Sequence, residues 1–143
     1  MALAAFQKFQ PFVQNWANGL INLGADTLKV MLTNTLPLAT YGVKASIAEL
    51  SAGNGYTTGG AAVTIASSLQ TGGTYILLPT PSSTAIFTAT GTLGPFRYAV
   101  LYDSTPAAGY LISWYDYGSP ITLASGGSFI VAFQTVSGIL QLT

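Results

Sequence analysis

The ten residues DTLKVMLTNT, positions 26–35, decide how the rest of the chain is read. Leu28, Val30 and Leu32 alternate with Thr27, Lys29, Met31 and Thr33. Successive side chains of a strand point to opposite faces, so an apolar residue at every second position marks a strand with one buried face. A helix would return its apolar residues every three or four positions instead. The spacing predicts a strand over 27–34.

Toward the C-terminus the same criteria predict strands at 62–68, 73–78, 84–90, 96–102, 109–116, 120–124 and 128–134, with a short one near 138–142. Gly, Pro, Ser and Thr punctuate them. Within 96–102, Phe96, Tyr98, Val100 and Tyr102 share a face; Phe129, Val131 and Phe133 do the same farther on, and these two faces are the predicted core. No helical pattern separates the strands, so the crossovers of a parallel sheet are lacking. The expected fold class is all-β, a jelly-roll-like antiparallel β-sandwich of about eight strands. The spacer 35–60 holds a short helical turn around Ser46 to Leu50 and then SAGNGYTTGG, which reads as a flexible loop.

Toward the N-terminus, Phe6, Phe9, Val13, Trp16 and Leu20 recur at helical spacing. Pro11 suits a first helical turn, and the predicted helix runs to about Asn22 with Gly24 as its stop. The chain therefore divides into an N-terminal helical arm, residues 1–25, and a β-sandwich domain, residues 26–143. Phe6, Phe9, Phe12 and Trp16 surround the arm's axis with more aromatic area than one packing stripe needs. Part of that area is expected to bind a neighbouring molecule; the alternative, compatible with it, is that the helix covers one open face of the chain's own sandwich.

With 143 residues there is room for one domain. Half of them are hydrophobic and only 6% are charged, against about 25% in ordinary soluble domains. Four basic and four acidic residues cancel, so no long-range field attracts a polyanion and nucleic acid is not an expected partner. A surface this sparsely charged lacks the repulsion that keeps molecules apart and suits one covered by partners. No apolar run approaches the roughly 20 residues of a membrane span. MALAAFQKFQPF lacks the basic and apolar regions of a secretory signal. The absence of cysteine rules out disulfides and thiolate chemistry and fits synthesis in a reducing cytoplasm.

Histidine is also absent, which removes the usual hydrolase base and the commonest metal ligand together. Asp103 and Asp116 flank the strand 109–116 as a conceivable glycosidase pair, although Asp beside Ser104, Pro106 and Gly118 more commonly caps a turn. Tyr110, Trp114, Tyr115 and Tyr117 form the densest aromatic cluster, suited to core, interface or sugar stacking. Gly53, Gly55, Gly59 and Gly60 lack the lysine of a phosphate loop. No carboxylate run has the spacing of a calcium loop. The expectation is a non-enzyme with no catalytic residue, metal or cofactor.

The order NGLINLGADTLKVMLTNT, AELSAGNGYTTGG, GPFRYAVLYDST and WYDYGSPITLASGGSFIVAF resembles a family of small virion proteins of tailed bacteriophages over most of the chain. DTLKVMLTNT at 26–35, GNGYTTGG at 53–60 and GPFRYAVLYD at 94–103 carry the resemblance by their order and spacing. Within that group the nearest picture is the jelly-roll cement, or decoration, protein. The resemblance implies synthesis in the host cytoplasm and a place on the capsid exterior. There the protein would bridge subunits of the major capsid protein, stabilise the shell, and contact sister copies as a dimer or trimer. A neck, tail or fibre protein is the structural alternative. A glycan-binding module stacking sugar on Tyr110 to Tyr117 is the alternative of another class.

Overall fold

The computed structural model describes residues 4–80 and 85–143. In chain order the elements are β1 (Gln7–Lys8), α1 (Gln10–Ala17), β2 (Leu28–Thr33), a 3-10 turn at Lys44–Ser46, β3 (Ala61–Val63), β4 (Ile65–Thr71), β5 (Thr74–Pro79), β6 (Ala85–Thr88), β7 (Leu93–Asp103), β8 (Tyr110–Leu123), β9 (Ser128–Val131) and β10 (Leu140–Leu142). The strands form three antiparallel sheets, ordered β1-β8-β7-β2-β3, β10-β5-β4 and β6-β9. This is the all-β architecture expected from the period-2 segments.

The predicted strands merge and divide. The segments 109–116 and 120–124 form one strand, β8, while 62–68 splits into β3 and β4. Residue 84, the start of the segment predicted at 84–90, lies outside the described residues, and β6 covers Ala85–Thr88.

Strand β7 is the spine of the larger sheet, paired with β2 on one side and β8 on the other. From Tyr98 to Asp103 every residue is buried, so both faces of this strand are covered. Phe96, Tyr98, Val100 and Tyr102 are in the core as anticipated, but Ala99 and Leu101 between them are buried too. Each large apolar side chain removed from water contributes roughly 1.5–3 kcal/mol. Phe129, Val131 and Phe133 pack against the core from its edge and stay partly exposed.

The helix ends five residues before its expected stop. Gly19 takes φ +73°; its N–H donates to the Trp16 carbonyl at 3.0 Å, and the Leu20 N–H to the Asn15 carbonyl at 2.9 Å. These two bonds form the Schellman closure, so Gly19 is the helix stop where Gly24 was expected.

From Gln7 through α1 the segment expected as an arm is built into the sandwich. Gln7 and Lys8 pair with Trp114 and Ser113 of β8, and the Phe9 N–H donates to the Ile112 carbonyl. Phe9 and Phe12 are buried in the common core. Trp16 stacks on Phe12 and meets Tyr75 of β5 at 5.7 Å between ring centroids, so α1 touches both the five-stranded and the three-stranded sheet.

The spacer 35–60 docks on the edge of β2 that β3 leaves uncovered. Tyr56 accepts the Leu32 N–H at 3.1 Å and donates to Glu49 Oε1 at 2.8 Å, and Gly59 N–H donates to the same oxygen. Tyr102 donates to the Gly59 carbonyl at 2.8 Å, and Lys44 closes the group at 3.4 Å from Glu49 Oε2. Gly60, at φ +74°, lies so close to the Val30 carbonyl that a Cβ has no space. GNGYTTGG is therefore a fitted piece of the fold, in which Gly55 lies against the Thr88 backbone and Gly60 against that of Val30, approaches that only glycine allows.

Candidate functional site

A cleft of about 600 Å³ opens on the surface. One wall is the middle of β7 and of β8, with Arg97, Ala99, Tyr115 and Tyr117. The opposite wall is the C-terminal chain from Phe129 to Gln141, and Phe6 closes one end. Its aromatic rings meet in two groups: Phe6 meets Tyr115 at 6.1 Å and Tyr115 meets Phe133 at 5.8 Å, while Tyr117 separately meets Phe129 at 5.8 Å, all edge to face. Such edge-to-face pairs hold a preferred geometry and present stiff apolar walls.

One ion pair sits in this apolar setting. Arg97 Nε donates to Asp116 Oδ1 at 2.7 Å and Nη2 to Oδ2 at 2.9 Å. The Asp116 carboxyl is held below the usual carboxylate range, first by the Arg97 hydrogen bonds and also by the Gly118 N–H. The guanidinium lies 5.3 Å from the Tyr98 ring. Because the fork-to-fork pair satisfies both partners, the cleft carries no unbalanced charge and suits an apolar, uncharged occupant. Burial pushes the Tyr115 hydroxyl up to about 12, against a weaker opposing hydrogen bond from Ser113, so it stays neutral at physiological pH.

The eight aromatic residues singled out from the sequence part company here. Of the N-terminal set, Phe6 lines the cleft, Phe9 and Phe12 are buried, and Trp16 packs between α1 and β5. Phe9 and Phe12 have no surface left to offer a neighbour. Of the β8 set, Tyr115 and Tyr117 line the cleft. Trp114 is covered by Phe9 at 4.6 Å, and Tyr110 sits at the far end of β8, bridged to Val43. Adjacent residues of a strand face opposite ways, and a bulge at Ile112, skipped between the pairs Leu101–Ser113 and Tyr102–Leu111, shifts the phase again. A continuous platform of the four rings does not exist. The structure adds Phe129, Val131 and Phe133 from the C-terminal wall, which sequence spacing marked as core, and Ile130, which it did not mark.

Exposed apolar residues extend the cleft. Ile86 and Ile130 are directly opposed across β6 and β9, and each is about half exposed. Beyond Trp114 the outer edge of β8 has no strand partner among the described residues, and it carries Gly118 and Pro120, which resist the addition of another strand.

Asp103 and Asp116 do not form a catalytic pair. Asp116 is opposite Tyr98, five residues along β7 from Asp103, a separation of about 17 Å at the strand rise. Glycosidase carboxyls stand roughly 5–9.5 Å apart. Asp103 is also fully buried. Among the described residues no group of three or more acidic, His or Cys side chains could hold a metal ion, and no helix is long and apolar enough to cross a membrane.

Fold and cleft together define an all-β protein of antiparallel sheets with an aromatic, charge-balanced groove on its surface. Compared with family models, curated proteins and solved structures, the chain matches none.

Proposed function

We propose that this protein is a structural subunit of a bacteriophage virion, a cement protein that sits on the outside of the capsid and bridges subunits of the major capsid protein. The observation that carries the reading is the joining of the aromatic cleft to exposed apolar side chains, Tyr117, Ile130 and Ile86, in a chain with only 6% charged residues. Interfaces that persist are apolar at the centre, rich in Tyr and Phe, and poor in charge. The cleft has that composition, and the Arg97–Asp116 pair at its side supplies orientation without net charge. The family likeness of 26–35, 53–60 and 94–103 supplies the identity of the partner, and the symmetry of a shell supplies a reason for dimers or trimers.

The contact surface assigned to the capsid is the cleft and its apolar border, in place of a detachable helix. The test is occupancy on purified capsids of the phage that encodes the chain, comparing wild type with Tyr117→Asp/Ile130→Asp. Both side chains are more than half exposed, so the variant is expected to keep its fold and lose at least tenfold in capsid affinity. Full occupancy by the folded variant, or the absence of the protein from purified particles, would refute the proposal.

A further inference from the structure

Asp103 ends β7 with its side chain wholly removed from solvent. Its Oδ1 accepts the Thr105 N–H at 3.0 Å. Its Oδ2 is the one buried side-chain oxygen among the described residues that no N–H or O–H group reaches. The group that faces it is another carboxyl, Asp26, on the connection from α1 to β2. The backbone fixes that approach: Leu28 pairs with Asp103, Thr27 N–H donates to Thr105 Oγ1 at 2.8 Å, and the Ser104 N–H and Oγ both donate to the Thr27 carbonyl at 2.9 and 2.8 Å. Asp26 is pinned in turn, its Oδ2 accepting the Asn22 N–H at 2.8 Å.

Among the described residues no cation is paired with either acid. The connection presents Asp26, β2 presents Leu28 and β8 presents Tyr110; the two ion pairs among the described residues, Lys44–Glu49 and Arg97–Asp116, lie elsewhere. Asp26 is only partly covered, but Asp103 is wholly buried with no donor at Oδ2, which disfavours its ionised form; a proton on that oxygen makes it the donor that the site lacks.

We propose that the buried Asp103 carboxyl carries a proton and donates it in a hydrogen bond to Asp26, and that this contact is a pH-sensitive latch closing the α1–β2 connection onto the end of β7. Desolvation first, and then the Asp26 carboxyl, push Asp103 up to about 7 from its ordinary 3.8. A carboxyl raised in the folded state stabilises the fold fully below its unfolded value, and that stability is lost as pH climbs through the folded value. The latch is thus closed in mild acid and released above neutrality. The sequence makes this unusually clean to observe: with no histidine and no cysteine, the side chains that ordinarily titrate between pH 5 and 9 are missing.

The test is urea unfolding of the full chain at pH 5 and pH 8.5 in the presence of chelator, with amide exchange over residues 22–27. The wild-type unfolding constant is expected to rise about tenfold or more between the two pH values, with exchange at 22–27 accelerating in parallel. Asp103→Asn keeps the Thr105 acceptor and lets an amide donate to Asp26, so its unfolding constant is expected to change by less than about threefold over that interval. Should that variant fold poorly, Asp26→Asn offers the reciprocal donor and the same flat profile. A wild type indifferent to pH, or a folded amide variant that retains the full wild-type slope, would overturn the proposal. Recovery of the pH 5 stability at pH 8.5 on adding millimolar calcium would overturn it in favour of a cation between the carboxylates.

Discussion

The ring of Phe9 rests 4.6 Å from the indole of Trp114, so the residue just before the helix and the middle of β8 bury each other. Phe9 has no exposure at all. The N-terminal segment is consequently part of the molecule's stability. Truncating a buried Phe costs about 3–5 kcal/mol, and Phe9→Ala is expected to lose that amount in chemical denaturation. Deletion of residues 1–22 is expected to leave an unfolded or aggregating chain, visible as loss of the near-ultraviolet circular dichroism of Trp114.

Gly60 and Gly72 both adopt positive φ, +74° and +60°, but differ in surroundings. Beside Gly60 lies the Val30 backbone, whereas beside Gly72 there is open space. Gly72→Ala should cost roughly 1 kcal/mol, the conformational penalty alone. Gly60→Ala should cost at least twice as much, about 2 kcal/mol or more, because the strand must move as well. Urea midpoints of the two variants give the comparison directly.

Tyr56 joins the Leu32 N–H to Glu49, and burial together with that carboxylate keeps its hydroxyl protonated far above the usual range. Tyr56→Phe removes both bonds and leaves a buried donor unmet. The expected loss is about 1–3 kcal/mol, with faster amide exchange at Leu32 as the local readout.

Arg97 and Asp116 stand at the surface, each about one-third exposed. A double-mutant cycle with Arg97→Ala and Asp116→Ala should therefore find only a small coupling, reduced further by high salt. Its pH dependence runs opposite to that of the Asp26–Asp103 pair. Asp116 is lowered by Arg97, so what it contributes is present above pH 3.8 and disappears as pH falls below that value.

Much of the architecture was legible along the chain. The alternation of Leu28, Val30 and Leu32 located β2, and the run from Phe96 to Tyr102 located β7, because local sequence displays the two-residue period of an extended chain; that Met31, Ala99 and Leu101 on the other face are buried as well was not visible in that period. The helix stop was misplaced because Gly19 and Gly24 are equally good punctuation on paper; the Schellman bonds at Gly19 single it out. GNGYTTGG suggested looseness from its glycines, yet Gly60 is fixed by its approach to Val30, a strand thirty positions earlier.

The candidate cleft was half legible. Phe6, Tyr115 and Tyr117 were among the aromatics marked, but so were Phe9, Phe12 and Trp114, which turn inward. Nothing in the local spacing distinguishes Tyr115 from Trp114, since they are neighbours of one type; the face each takes depends on the register with β7 and on the bulge at Ile112.

By itself the sequence determined the all-β class, the single-domain size and the scarcity of charge, properties summed over residues or carried by their nearest neighbours. Tertiary structure alone decided which aromatics are walls of a cleft and which are core, and why one aspartate is exposed beside an arginine while another is buried against a second carboxyl. Those outcomes depend on pairings such as Thr27 with Thr105 and Gln7 with Trp114. Contacts across so many residues are set by how the sheets close, and closure belongs to the whole chain at once.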